Sequence, residues 1–166
     1  MIRFKGMPTE SVRMLQQGGV DVQGQVAEHA ISDGEGNPCR HCLQMIEKKA
    51  PFLIVAWRPF AGINPYTETG PIFLHSTACK AFDSDSDALP QVLEGSPDFI
   101  MRGYDVNERI VYGTGGVVLR EHIVQQAIAL FANEQVCFVH VRSSSNNCWQ
   151  ARIDSGVAMP TTRLIN

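Results

Sequence analysis

Cys39 and Cys42 stand in a C-x-x-C arrangement directly after a Gly/Pro turn, the spacing at which two thiolates reach one tetrahedral metal ion. One such pair is half a site. Its compact complement is His75 with Cys79, a histidine and a cysteine four positions apart at the end of a stretch that reads as a strand. Cys39, Cys42, His75 and Cys79 are therefore the candidate zinc ligands, with His29 and His41 as substitutes. If they share an ion, three sulfurs and a ring nitrogen should converge to within about 4 Å of one another. Two other uses stay open: small packed thiols, because free cysteine is among the most buried residue types, and a dithiol that cycles with a disulfide. The redox reading fits poorly, because residues 43–49 form at best a short helix ahead of a strand.

A second constellation comes from strand alternation. Residues 136–142 and 148–154 read as strands joined by the five-residue loop 143–147, which would set Arg142 opposite Cys148 and His140 opposite Gln150. One face would then carry His140, Arg142, Cys148, Gln150 and Arg152. Cys137, Val139, Val141, Trp149, Ala151 and Ile153 would face the core. An imidazole diagonal to a thiol, between guanidiniums, is a setting that raises the thiolate fraction of a cysteine. The same face has donors for a carboxylate or phosphate. Three readings stay open: a small anionic ligand bound by Arg142, Gln150 and Arg152 with Arg102 nearby; an enzyme with Cys148 as nucleophile and His140 as base; or an ordinary solvated sheet face. A protein-interaction module held by a structural zinc is a further alternative.

Weaker signals surround these. Gly113-Thr114-Gly115-Gly116 lacks the P-loop lysine and the GxGxxG spacing, so a tight turn is its expected use. Tyr66 and Glu68 in a proline-bounded loop, with Arg102, Tyr104 and Asp105, occupy positions from which loops and strand ends reach pockets.

The elements that must position these groups follow from periodicity. A short helix is expected over 9–17, with Val12 and Leu15 on its apolar side and Gly18-Gly19 as its stop. Strands are expected over 26–31, 52–57, 72–75, 99–104, 109–112, 136–142 and 148–154. Residues 63–71 and 83–97 read as loops, the second with one helical turn near 91–93. The longest helix is expected over 119–133, burying Ile123, Ala127, Ile128 and Phe131. The fold class is α+β: a mixed, largely antiparallel sheet covered by one long helix and one or two short ones, in a single domain over residues 1–166.

Composition bounds the partners. In 166 residues with 44% hydrophobic and 19% charged content the formal charge is −3, so no global field draws in nucleic acid or anionic lipid. Neither a secretory signal nor an apolar run long enough for a membrane span is present, and five cysteines without an export signal suit reduced thiols; a cytoplasmic location is expected.

The motifs Pro38-Cys39-Arg40-His41-Cys42-Leu43, Pro65-Tyr66-Thr67-Glu68-Thr69-Gly70-Pro71-Ile72-Phe73, Arg102-Gly103-Tyr104-Asp105 and His140-Val141-Arg142 with Asn147-Cys148, in this order, resemble a family of short bacterial proteins catalogued as domain-of-unknown-function family 1203. The resemblance runs from about Val26 to Ile153. It implies no reaction, ligand or catalytic residue.

Overall fold

A computed structural model describes residues 2–82 and 88–156 of the chain. Part of the acidic loop expected at 83–97 and most of the tail lie outside the described residues. The class is α+β, and the strands divide between two sheets. In chain order the elements are strand β1 (Ile2–Lys5), helix α1 (Thr9–Gln16), strands β2 (Glu28–Ile31), β3 (Pro51–Trp57) and β4 (Gly70–His75), a 3-10 turn (Gln91–Leu93), strands β5 (Asp98–Tyr104) and β6 (Gly116–Leu119), a second 3-10 turn (Arg120–His122), helix α2 (Ile123–Phe131), and strands β7 (Phe138–Ser143) and β8 (Trp149–Ser155).

The larger sheet runs β1-β8-β7-β5-β6 and the smaller β2-β3-β4, with every strand pair antiparallel. Helix α2 covers the larger sheet. Its Ile123, Ala127 and Leu130 are buried among Val139 and Val141 of β7 and Ala151 and Ile153 of β8. Helix α1 serves the smaller sheet, where Val12 and Leu15 pack with Leu53, Val55, Ile72, Leu74 and the sulfur-bearing Cys39 and Cys42. A third, aromatic cluster of Phe60, Tyr104 and Phe138 lies on the face of the larger sheet that carries His140.

Four local expectations change. Residues 1–8 carried no expected element, yet β1 forms there and pairs with β8; with four residues alternating buried and exposed, its pattern is too short to be read without its partner. Residues 109–112 form no strand. After Asp105 closes a turn on Arg109, the chain pairs with β5 through a single bridge from Ile110 to Tyr104 instead of a ladder. Gly113 then turns it at φ 90°, and β6 takes the place beside β5. The glycines thus serve a turn that leads into a strand. The long helix is shortened at both ends, since Leu119 belongs to β6 and a 3-10 turn precedes α2. Ile128, expected in the core, is 53% exposed, and Phe131 packs only partly buried at the core margin.

No helix among the described residues is long and apolar enough to cross a membrane.

These packing differences have a measurable contrast. Ile123→Ala should cost about 2–5 kcal/mol of unfolding free energy, whereas Ile128→Ala should stay within about 0.5 kcal/mol of the parent. Chemical denaturation of both variants checks the helix face directly.

Candidate metal centre

The Cys39–Cys42 loop is built by backbone pairing. Pro38 bridges Met45, the Cys39 N–H donates to the Gln44 carbonyl at 2.8 Å, and the Leu43 N–H donates to the Cys39 carbonyl at 3.0 Å. Leu43 sits at φ 54°, a left-handed conformation that a leucine adopts only when its surroundings fix it, and its side chain is fully buried. The loop is then tied outward. Arg40 N–H donates to the Phe73 carbonyl of β4 at 3.0 Å, and the Met7 N–H donates to the Arg40 carbonyl at 2.6 Å. Gly6 makes that second approach feasible: a Cβ there would stand 2.5 Å from the carbonyl oxygens of Arg40 and His41.

This framework brings Cys39 and Cys42 under the end of β4, where His75 closes the strand and Cys79 follows after one turn of chain. The ligand atoms of Cys39, Cys42, His75 and Cys79 all lie within 4.8 Å of one another. Cys39 Sγ is 4.0 Å from Cys79 Sγ, and Cys42 Sγ is 3.5 Å from His75 Nδ1. Two sulfurs each about 2.3 Å from one tetrahedral ion would be about 3.8 Å apart, so the four groups need contract by only about an ångström to share a cation. Cys39 and Cys42 are buried, and His75 and Cys79 are half-buried. The group could hold a metal ion.

Its electrostatics point the same way. The thiols of Cys42 and then Cys79 turn to Cys39, as do the backbone N–H groups of Cys42 and His75, and together they hold the Cys39 thiol far below the ordinary cysteine range. Cys42 and Cys79 are pushed up, first by donating to Cys39 and then by burial. A cation would take the place of those shared protons and let the remaining sulfurs ionise.

Of the two substitute ligands, His29 lies exposed on β2, outside the group. His41 is buried next to it: Nδ1 stands 3.0 Å from Cys79 Sγ, and Nε2 is held 2.9 Å from the Thr9 hydroxyl. It is a hydrogen-bonding neighbour of one sulfur of the group.

The hairpin differs from its expected register. Arg142 pairs with Trp149, and His140 with Arg152, because a bulge between Val141 and Arg142 leaves β8 one residue longer than β7 at that point. His140 therefore faces Trp149, at 6.1 Å between ring centroids, where the expected alternation sent Trp149 to the core. The face is also covered. His140 is fully buried, with Tyr104 at 4.9 Å and Phe60 and Phe138 each at 5.0 Å, centroid to centroid. Among the described residues its two ring nitrogens have no hydrogen-bond partner, so no His140–Cys148 hydrogen bond forms. Cys148 instead donates to the Asn146 carbonyl. The expected ligand-binding arginines have partners: Arg102 and Arg142 both hold Glu68, and Arg152 holds Asp154 at 2.6 Å while lying 3.9 Å over the Phe138 ring. Gln150, buried, donates to the Cys148 carbonyl.

In the sequence Arg40 stands only as part of a motif. It is buried within the Cys39–Cys42 loop, and its guanidinium donates to the Trp149 carbonyl of β8 at 2.8 Å and to the Pro38 carbonyl at 2.6 Å. Burial pulls its pKa down to about 10, which leaves it charged at neutral pH. A buried cation joining a loop of one sheet to a strand of the other has no periodic signature in a sequence.

Burial, followed by the charges of Arg142, Arg152 and Arg102, holds the His140 imidazole well below its usual range. Folding thus keeps this ring neutral, while the unfolded chain protonates it near pH 6.5. Stability from this source is present above pH 6.5 and falls as the pH drops below it, by up to about 1.4 kcal/mol per pH unit. Urea unfolding between pH 5 and 7 should show that slope in the parent and a slope shallower by about that amount in His140→Leu.

The model of one family, described as "Protein of unknown function (DUF1203)", matches residues 36–155. No curated protein and no solved structure matches the chain. The matched span contains all four residues of the candidate metal centre, the Glu68 loop and both hairpin strands. It covers well over half of the sequence, and the chain belongs to the DUF1203 family of proteins of unknown function.

Proposed function

We propose that this protein binds one zinc ion through Cys39, Cys42, His75 and Cys79, and that the ion is structural. The observation that carries this reading is the convergence of four ligand atoms within 4.8 Å from two separate chain segments. Three thiolates and an imidazole form a soft tetrahedral donor set that suits zinc over magnesium or calcium, which take oxygen ligands. The protein supplies all four positions, and two ligands are buried, so no place is left open for a substrate or a reactive water. The His41 ring beside Cys79 Sγ, steadied by Thr9, resembles the outer hydrogen bonds that orient metal ligands.

The role follows from what the loop carries. It joins β4 through Arg40 N–H and Phe73, the β1–α1 connection through Met7, and β8 through the Arg40 side chain. Zinc would fix that junction, and binding free energy at such a site is folding free energy.

Elemental analysis of protein purified without added metal should find about one zinc per chain, and Cys42→Ser should lose it. Chelation should lower the melting temperature of the parent and leave that of Cys42→Ser unchanged. Parent protein free of zinc and indifferent to chelator would overturn the proposal.

A further inference from the structure

Between the two sheets lies a cleft of about 330 Å³, walled by Trp57 at the end of β3, by the chain leading into β4, and by Arg142 and Trp149 of the hairpin; Glu68 and Cys148 also line it. The volume suits a small molecule. We propose that this cleft binds a small carboxylate, gripped by Arg102 and Arg142 in exchange for the Glu68 side chain. The site is separate from the zinc ligands and does not depend on them.

Three observations carry the assignment. The first is the occupant already there. Arg102 Nη1 lies 3.1 and 3.2 Å from the two Glu68 oxygens, and Arg142 Nη2 lies 2.6 Å from Oε2. A planar two-oxygen anion is what the pair is shaped to hold. Glu68 is a third exposed and belongs to a loop, whereas the Arg142 side chain is only 5% exposed and is anchored by Nη1 to the Asn147 carbonyl. The receptor is fixed and the carboxylate is the part free to leave.

The second observation is a surplus of donors. Arg142 Nε, Trp57 Nε1 and Trp149 Nε1 are buried without a partner among the described residues, and all three belong to residues lining the cleft. Buried donors left unpaired are costly, and only an acceptor relieves them. The third is charge. Arg102 and Arg142 face a single carboxylate, and the buried Arg40 cation donates to the carbonyl of Trp149, a cleft residue. The cleft is positive although the chain as a whole is negative.

The sequence supplies its own reporter, because its two tryptophans, Trp57 and Trp149, both line the cleft. Tryptophan fluorescence of the full-length protein is titrated with acetate, succinate, citrate and inorganic phosphate at constant ionic strength. Glu68→Gln removes the competing charge and should give a saturable response to at least one of the carboxylates at roughly tenfold lower concentration than the parent. Arg102→Ala should abolish that response without unfolding the chain, since its side chain is partly exposed, and Arg142→Lys should weaken it roughly tenfold or more. Absence of any saturable response in Glu68→Gln would overturn the proposal. So would a response that persists in Arg102→Ala, or phosphate bound more tightly than every carboxylate.

Discussion

Three cysteine sulfurs confined within 4.8 Å of one another and of a histidine nitrogen cannot all ionise without a cation among them, because like charges at that distance in a half-dry site repel strongly. Most of the smaller half of the fold is arranged around this constraint. The left-handed Leu43, the glycine at position 6 and the paired backbone from Pro38 to Met45 all act on one loop, and their joint effect is to present two sulfurs to the end of β4. Interlocking of this kind is what lets a protein hold a residue in a sparsely populated conformation.

The loop also couples the two sheets. Arg40 lies between Cys39 and Cys42, yet its guanidinium binds the β8 backbone at Trp149. The candidate metal centre and the hairpin therefore share a side chain. On the hairpin side the buried charges are balanced differently, by one glutamate shared between two arginines above an aromatic cage that seals His140. The proposed zinc centre and the proposed cleft are thus neighbours joined through Arg40, with separate donor sets.

What was legible in the sequence is what depends on short-range pattern. The apolar run of β3 and the 3.6-residue periodicity of α2 identify themselves, and cysteine and histidine spacing alone brings together the four residues of the candidate metal centre. What depends on a single inserted residue was not legible. The bulge at Val141/Arg142 moved Trp149 onto the His140 face, and strict alternation has no means of announcing it. The same limit hid the closed state of that face. Phe60 and Glu68 reach the hairpin from a loop between β3 and β4, so a surface that reads as polar and solvated is buried by residues remote in sequence. β6 displaced residues 109–112 from the sheet for a related reason: Thr114 caps the turn by accepting from the Gly103 N–H and donating to the Val111 carbonyl, a tertiary contact without periodicity.

X-ray absorption at the zinc edge reads directly the identity of the four donors around the proposed ion. The predicted spectrum of the purified protein fits three sulfurs at about 2.3 Å and one nitrogen at about 2.0–2.1 Å. A first shell made mainly of oxygen and nitrogen, or one with fewer than three sulfurs, would contradict it.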